Sequence, residues 1–305
     1  MRGHLPPKLR RQRTLAVLAL AALSSLALAP SALASALAPP KGVSPGENHI
    51  WSLYVITLII ATVVFIGVEG TLVYCLIKFR ARKGREAKQL HGNTQLEIGW
   101  TVGAALVLVA LATVTFLDLR EIRDPPNSGP GGLNLSGEQY VTTGSLKPPN
   151  GRSLTIDVVG MQFIWQYVYK NYSPNPDGLG TPYSYYQMVV PTNTTVTLHV
   201  ASKDVVHEWW IPALGAKVQA VPGYTNTTWF KIAKPGNYVG QCSFLCGRGH
   251  TRMIAEVTAV PPAKFLHWIH TQETALHNAD VQAQACRQEL SKHQGPQSVE
   301  FAKNC

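Results

Sequence analysis

Two long stretches almost without charge limit what this chain can become: residues 50–68, and residues 96–117 broken only by Glu97. In hydrocarbon every backbone N–H and C=O has to be satisfied inside the segment, so such runs become helices. At about 1.5 Å per residue, nineteen residues already cover about 28 Å, close to the apolar thickness of a bilayer. Charged residues make up 14% of the chain, against about 25% in ordinary soluble proteins, which favours a membrane setting. The sequence therefore predicts transmembrane helices over residues 49–79 and 96–119. Residues 80–95 between them carry Arg80, Arg82, Lys83, Arg85 and Lys88 against Glu86 alone. Basic residues in short loops stay inside, so the loop is expected on the cytoplasmic side and both distal helix ends outside. The formal net charge of +10 is concentrated there and at the N-terminus, a distribution that reflects membrane topology and not nucleic-acid binding.

Residues 1–34 have the form of an export signal. Lys8, Arg10, Arg11 and Arg13 precede an apolar run over residues 15–29, and Ala32-Leu33-Ala34 offers a small-residue cleavage site. Residues 35–48 then form an exported N-terminal segment. After the second span, residues 120–150 read as a linker rich in Gly, Pro, Ser and Asn. Residues 151–262 change to short alternating runs, at 154–159, 162–169, 185–190, 194–201, 227–232, 237–240 and 253–260, which predict a β-sandwich or barrel. Residues 263–305 form a polar tail, helical in part. It holds Cys286 and Cys305, either a disulfide or two free thiols. The expected location is a bacterial-type plasma membrane, with two spans and with the N-terminus, β domain and C-terminus on the outer face. Glu69, near the end of the first span, is read as reaching the far interface or a partner subunit.

The chemistry concentrates in residues 240–253, where Cys242, Cys246, His250 and Met253 follow the pattern C-x3-C-x3-H-x2-M. Thiolate, thioether and imidazole together suit copper and not magnesium or calcium. Gly240, Gly247 and Gly249 argue for a tight loop between strands. A further imidazole is needed from upstream. His207 is the better candidate, because His199 sits inside an alternating strand run. Four readings compete at this point. A Cys2His2 zinc site leaves Met253 unused, a mononuclear blue-copper site leaves one thiol unused, and a Cys242–Cys246 disulfide leaves the histidines idle. Two copper ions sharing both thiolates use every group.

These features together resemble subunit II of the haem–copper cytochrome c oxidases. The resemblance rests on the two-span hairpin with an outer β domain, on Asp204-Val-Val-His207, Pro212-Ala-Leu-Gly-Ala-Lys217, Val221-Pro-Gly223 and Pro235-Gly236, and on the loop from Gly240 to Met253. It covers roughly residues 45–262. It implies a cupredoxin-like Greek-key barrel on a membrane hairpin and a dinuclear copper centre, CuA. That centre takes electrons from cytochrome c or a similar donor and passes them to haem in subunit I, which also carries CuB and stands beside subunit III. There oxygen is reduced to water and protons are translocated; no oxygen chemistry is expected on this chain alone. Carried over, Cys242 and Cys246 bridge the metals, His207 and His250 are terminal ligands, Met253 is a weak ligand, and position 244 gives its main-chain carbonyl.

Three departures qualify the resemblance. Position 244 is Phe244 where the family has a glutamate that helps hold magnesium, so no magnesium site is predicted. The family's electron-accepting tryptophan aligns with Phe163, which leaves Trp165, the match to a second family tryptophan, as the better neighbour of the metals. Between residues 127 and 262 there are six acids and nine Lys or Arg, which does not suit a basic cytochrome c and predicts a neutral or acidic donor or apolar docking. Glu97 matches a family glutamate near the mouth of a proton-uptake path. The rival function is a membrane-tethered copper carrier without an oxidase partner, which would need neither Glu97 nor a paired-thiolate loop.

Overall fold

The structure, a computed structural model, describes residues 41–81, 84, 91–142, 144, 146–173, 180–215 and 217–292. The expected signal segment, most of the basic loop and the last thirteen residues lie outside these. Two helices come first, α1 (Pro45–Lys78) and α2 (Thr94–Arg123). α1 starts four residues before the span expected from hydropathy, because Pro45 occupies its first turn, where the missing N–H costs nothing. Along both helices the large apolar side chains face outward, among them Val63, Phe65, Leu106 and Phe116, a surface suited to lipid or to other spans.

The helices pair as an antiparallel hairpin, with His49 Nδ1 3.4 Å from Asp118 Oδ1 at one end. Counting about 1.5 Å per residue from that pair, Glu69 and Glu97 both lie about 30 Å away. That distance is close to one hydrocarbon thickness, so both carboxylates fall near the opposite interface and avoid the bilayer centre. Glu69 also faces α2, lining a cleft of about 490 Å³ with Val64, Phe65, Val68 and Leu111.

Among the described residues the β domain has ten strands: β1 (Leu154–Met161), β2 (Ile164–Tyr169), β3 (Tyr183–Tyr185), β4 (Gln187–Pro191), β5 (Thr195–Ser202), β6 (His207–Trp209), β7 (Val218–Ala220), β8 (Asn226–Lys231), β9 (Gly236–Gln241) and β10 (Ile254–Val260). One sheet runs β3-β2-β1-β5-β8, a second β4-β10-β9, and β6 pairs with β7. β1 lies parallel to β5 and β4 parallel to β10, while the other pairs are antiparallel. Such pairing of distant strands gives the Greek-key, cupredoxin-like barrel. Alternation decides the core: Leu154, Ile156 and Val158 of β1, Trp165, Tyr167 and Tyr169 of β2, and Val196, Leu198 and Val200 of β5 are all buried. The three-residue strands β3, β6 and β7 are too short to show a period and were not anticipated.

Two segments depart from their expected character. The linker is packed: Leu133, Leu135 and Tyr140 are buried, the Leu133 N–H reaches Thr194 Oγ1 at 2.8 Å, and the Thr195 hydroxyl donates to Pro126 O at 2.6 Å. Its Gly and Pro shape the path without loosening it. The polar tail begins as helix α3 (Pro262–Lys292). Phe265 and Ile269 are fully buried, and the Trp268 ring sits 5.1 Å from that of Tyr169. Only the first turns carry this apolar face, and they close the barrel at the Tyr169 end of β2. Cys286 is disulfide-bonded, while Cys305 is outside the described residues.

Hydrogen bonds tie the domain to the end of α2 and to the segment leading into α1. Trp229 Nε1 donates to the carbonyls of Ile122 and Arg123 at the end of α2, each at 3.1 Å. The Val43 N–H reaches Ala213 O at 2.9 Å, and the Lys231 N–H reaches Ser44 Oγ at 3.3 Å.

Gly240 exposes how tightly the barrel end is closed. A Cβ placed there would lie 1.9 Å from the Trp210 carbonyl oxygen and 2.6 Å from Ile211 Cα. Both are backbone atoms and cannot swing aside. Gly240→Ala is expected to cost about 3 kcal/mol, lowering the melting temperature of the β domain by roughly 10–20 °C. Thermal unfolding of the detergent-solubilised chain followed by circular dichroism measures this, and an unchanged melting point would contradict the packing.

Candidate metal centre

The loop after β9 is held on both sides before any metal is considered. The Gln241 N–H donates to Trp210 O and the Ser243 N–H to Glu208 O, each at 3.0 Å, while the Cys242 N–H donates to Met253 O at 2.9 Å. The Ser243 hydroxyl adds a bond to Glu208 Oε2 at 2.6 Å. From the β1–β2 turn, Gln162 Nε2 donates to Cys246 O at 2.7 Å. The three loop glycines serve different ends. Gly240 lies in β9 and permits close backbone approach, Gly247 takes φ +132°, and a Cβ on Gly249 would strike the Phe163 ring.

This bracing brings four side-chain and main-chain donors round the two thiols. Cys242 Sγ and Cys246 Sγ are 3.8 Å apart, far beyond the roughly 2.05 Å of a disulfide, and both are free. His207 Nδ1 lies 4.0 Å from Cys242 Sγ, and the Phe244 carbonyl oxygen lies 3.3 Å from the same sulfur. His250 Nδ1 is 3.6 Å and Met253 Sδ 4.0 Å from Cys246 Sγ. His207, Cys242, Cys246 and Met253 are buried. The ligand atoms of His207, Cys242 and Cys246 all fall within 4.8 Å of one another.

This donor set fits copper. Two thiols that both face the same space are one too many for a blue-copper site, and a buried thioether aimed at Cys246 has no place in a Cys2His2 zinc site. The electrostatics ready one of the two thiols for metal. Burial opposes ionisation of Cys242, but hydrogen bonds from His207, from the Glu208 and Phe244 backbone and from His250 outweigh it and bring its pKa down to about 6. Cys246 is pushed up to about 11, by burial and then by the adjacent Cys242 charge. A cation placed between the two sulfurs would relieve that repulsion.

Asp204, to which the sequence assigns no role, stands directly behind His207. His207 Nε2 is 2.8 Å from Asp204 Oδ1, so Nε2 carries the proton and Nδ1 is left to face the thiols. A carboxylate behind a metal-binding imidazole fixes its tautomer and orientation. Asp204 is itself fixed by the backbone N–H groups of Gln162 (2.6 Å) and Val205 (2.7 Å). Burial would raise its pKa, but His207 and these two N–H groups prevail and hold it at about 2. His207 is raised in turn: burial acts to lower it, and Cys242 and Asp204 more than compensate.

The remaining expected site residues fall at varied distances from the thiols. Trp165 is fully buried, its ring 5.9 Å from that of His207 in an edge-on arrangement. It adjoins the site and has no surface for a donor to touch. Phe163 is partly exposed and covers Gly247 and Gly249. His199 is remote from the thiols in function, pairing with Asp157 at 3.2 Å. Glu97 lies in the first turn of α2, where its Oε1 accepts the Asn93 N–H at 3.3 Å and Asn93 Oδ1 accepts the Leu96 N–H at 3.2 Å, a reciprocal cap.

A β-barrel on a two-span hairpin, with paired thiols, two imidazoles and a thioether at one end, defines a membrane-anchored cupredoxin-like copper-binding protein. Residues 183–260 match the family described as cytochrome C oxidase subunit II, periplasmic domain, and residues 32–117 match its transmembrane domain. A Rickettsia bellii protein named "Probable cytochrome c oxidase subunit 2" is 30% identical over 255 residues, covering 79% of this chain and 85% of that protein. The cytochrome c oxidase subunit 2 of Alkalihalophilus pseudofirmus is 32% identical over 235 residues, covering 75% of this chain and 60% of that one. The crystal structure of the periplasmic domain of subunit II of cytochrome oxidase of Bradyrhizobium japonicum is 35% identical, with TM-score 0.36, covering 40% of this chain and 95% of that one. The chain belongs to the cytochrome c oxidase subunit II family. It is a membrane protein, a subunit II of the cytochrome c oxidase type.

Proposed function

We propose that the barrel end holds a dinuclear copper centre through which the oxidase accepts electrons. Cys242 and Cys246 would hold both ions between them, His207 and His250 one at each side, with Met253 and the Phe244 carbonyl completing the set. The observation that carries this reading is the convergence of two free thiols at 3.8 Å with both imidazole Nδ1 atoms within 4.0 Å of a sulfur. When bound, the metal pair would supply a one-electron carrier whose charge is spread over two sulfurs.

The chain's own part is to keep that geometry fixed. The Cys242 N–H bond to Met253 O and the Gln162 bond to Cys246 O brace both ends of the loop. Asp204 keeps the His207 proton on Nε2. Trp165, Met253 and Trp209, all buried, keep water from the inner side, which limits solvent rearrangement on electron transfer. Electrons would arrive from a cytochrome c or another external donor and leave to haem in subunit I, where oxygen reduction and proton translocation take place. Phe163 would stand on the donor side and Trp165 beneath it. Glu97, at the start of α2, is proposed to gather protons from the cytoplasmic side, which puts the β domain and both termini outside.

Metal analysis of the purified full chain, loaded with excess copper, tests the reading. Two copper ions per chain are expected; one, or zinc alone when copper is plentiful, would favour the copper-carrier alternative.

A further inference from the structure

Three neighbouring segments form the surface over the thiols: the β1–β2 turn with Gln162 and Phe163, the loop Lys203–Val205, and the metal loop itself. They are bonded to one another through Gln162, whose side chain reaches Cys246 O and whose N–H reaches Asp204, and the Phe163 ring covers Gly247 and Gly249. The apolar part of this surface is unusual for a solvent-facing loop. Leu245 is 79% exposed, Phe244 42% and Val205 37%, with Phe163 partly exposed among them.

The unpaired charges round this apolar centre are positive. Lys203, Arg248 and Arg252 are exposed, and none makes an ion pair among the described residues. The nearby carboxylates are already engaged by hydrogen bonds. Asp204 is taken up by His207 and two backbone N–H groups, and Glu208 accepts the Ser243 hydroxyl. An approaching protein therefore meets free cations and an apolar patch, while the acids are spent on holding the metal loop. The patch uses the β1–β2 turn and not the Ala213 turn, which adjoins the foot of α1.

We infer that this surface docks an electron-carrier protein whose own docking face is acidic, with carboxylates surrounding an apolar patch at its redox group. The inference rests on the proposed copper centre and names its partner. One electron passes from the reduced carrier to the site; the carrier is oxidised, and no bond or proton changes hands. Lys203 and Arg248 steer the encounter, and Phe163, Val205 and Leu245 supply the contact once water is expelled.

The test uses the purified oxidase containing this chain and two reduced probes, an acidic c-type cytochrome and a basic one. Stopped-flow rates are read at low and at physiological salt. Binding of each oxidised cytochrome, which transfers nothing, is read by calorimetry. The acidic probe is expected to react faster at low salt and to slow by about tenfold as salt is raised. Lys203→Glu with Arg248→Glu should lower its rate and its binding about tenfold and raise those of the basic probe. Copper absorption reports whether the altered protein is intact; if it is lost, Arg248→Gln and the salt dependence of the unaltered oxidase decide the matter. A faster reaction with the basic probe at low salt, or charge reversal that changes neither rate nor binding, overturns the inference. Absence of copper absorption from the unaltered oxidase would instead count against the copper centre.

Discussion

Cys246→Ser is expected to leave the chain with no more than one copper and to slow electron acceptance by the oxidase at least a hundredfold. Cys246 Sγ lies 3.8 Å from Cys242 Sγ, 3.6 Å from His250 Nδ1 and 4.0 Å from Met253 Sδ, within reach of a thiol, an imidazole and the thioether. A serine hydroxyl in its place is hard and stays protonated at neutral pH, so it offers copper neither softness nor charge. The two halves of the donor set would then lose their common member, His250 and Met253 on one side and His207 and Cys242 on the other. The fold should survive, because the loop is braced by backbone bonds from Gln241, Cys242 and Ser243 that do not involve this sulfur. Metal content and single-turnover reduction of the purified variant check the result. Retention of two copper ions would show that the second thiol does not bridge.

Asp204→Asn should weaken copper binding by about 10- to 100-fold while leaving the ligands in place. Asparagine keeps an oxygen that can accept from His207 Nε2, so the change removes charge with little change of shape. It also alters the response to acid. The carboxylate is held at about 2 against an ordinary 3.8, so its folded pKa is depressed. Its contribution to stability is complete above about pH 4 and is lost as pH falls from there towards 2. The metal-free wild type should lose stability across that window, and Asp204→Asn should be less stable above it but flatter within it. Copper competition titrations and acid unfolding curves of the two proteins measure both effects. Equal copper affinity would place Asp204 outside the metal's influence.

Much of the fold was readable because its signals are periodic or compositional. The uncharged runs announce α1 and α2, and alternation over residues 154–159 and 194–201 announces the strands that carry Ile156 and Leu198 into the core. The thiols, His250 and Met253 sit within twelve residues, so their convergence could be foreseen from spacing. His207 was harder, since thirty-four residues separate it from Cys242 and the β6–β7 pair, three residues long, brings it in.

Other features leave no periodic trace. Asp204 acts through a single hydrogen bond three residues from its histidine, and an acid in a loop usually means only solvation. α3 hides its packing in its first turns, Phe265, Trp268 and Ile269, ahead of some twenty polar or small residues. The demand for glycine at 240 comes from the Trp210 carbonyl, thirty residues away, and is visible only once β9 lies beside that turn.

Electron paramagnetic resonance of the purified, copper-loaded chain asks whether two sulfurs hold two copper nuclei as one redox unit. One unpaired electron shared equally by two copper nuclei gives a seven-line hyperfine pattern, which is the predicted result. A four-line pattern from a single nucleus, or no signal after oxidation, would contradict it.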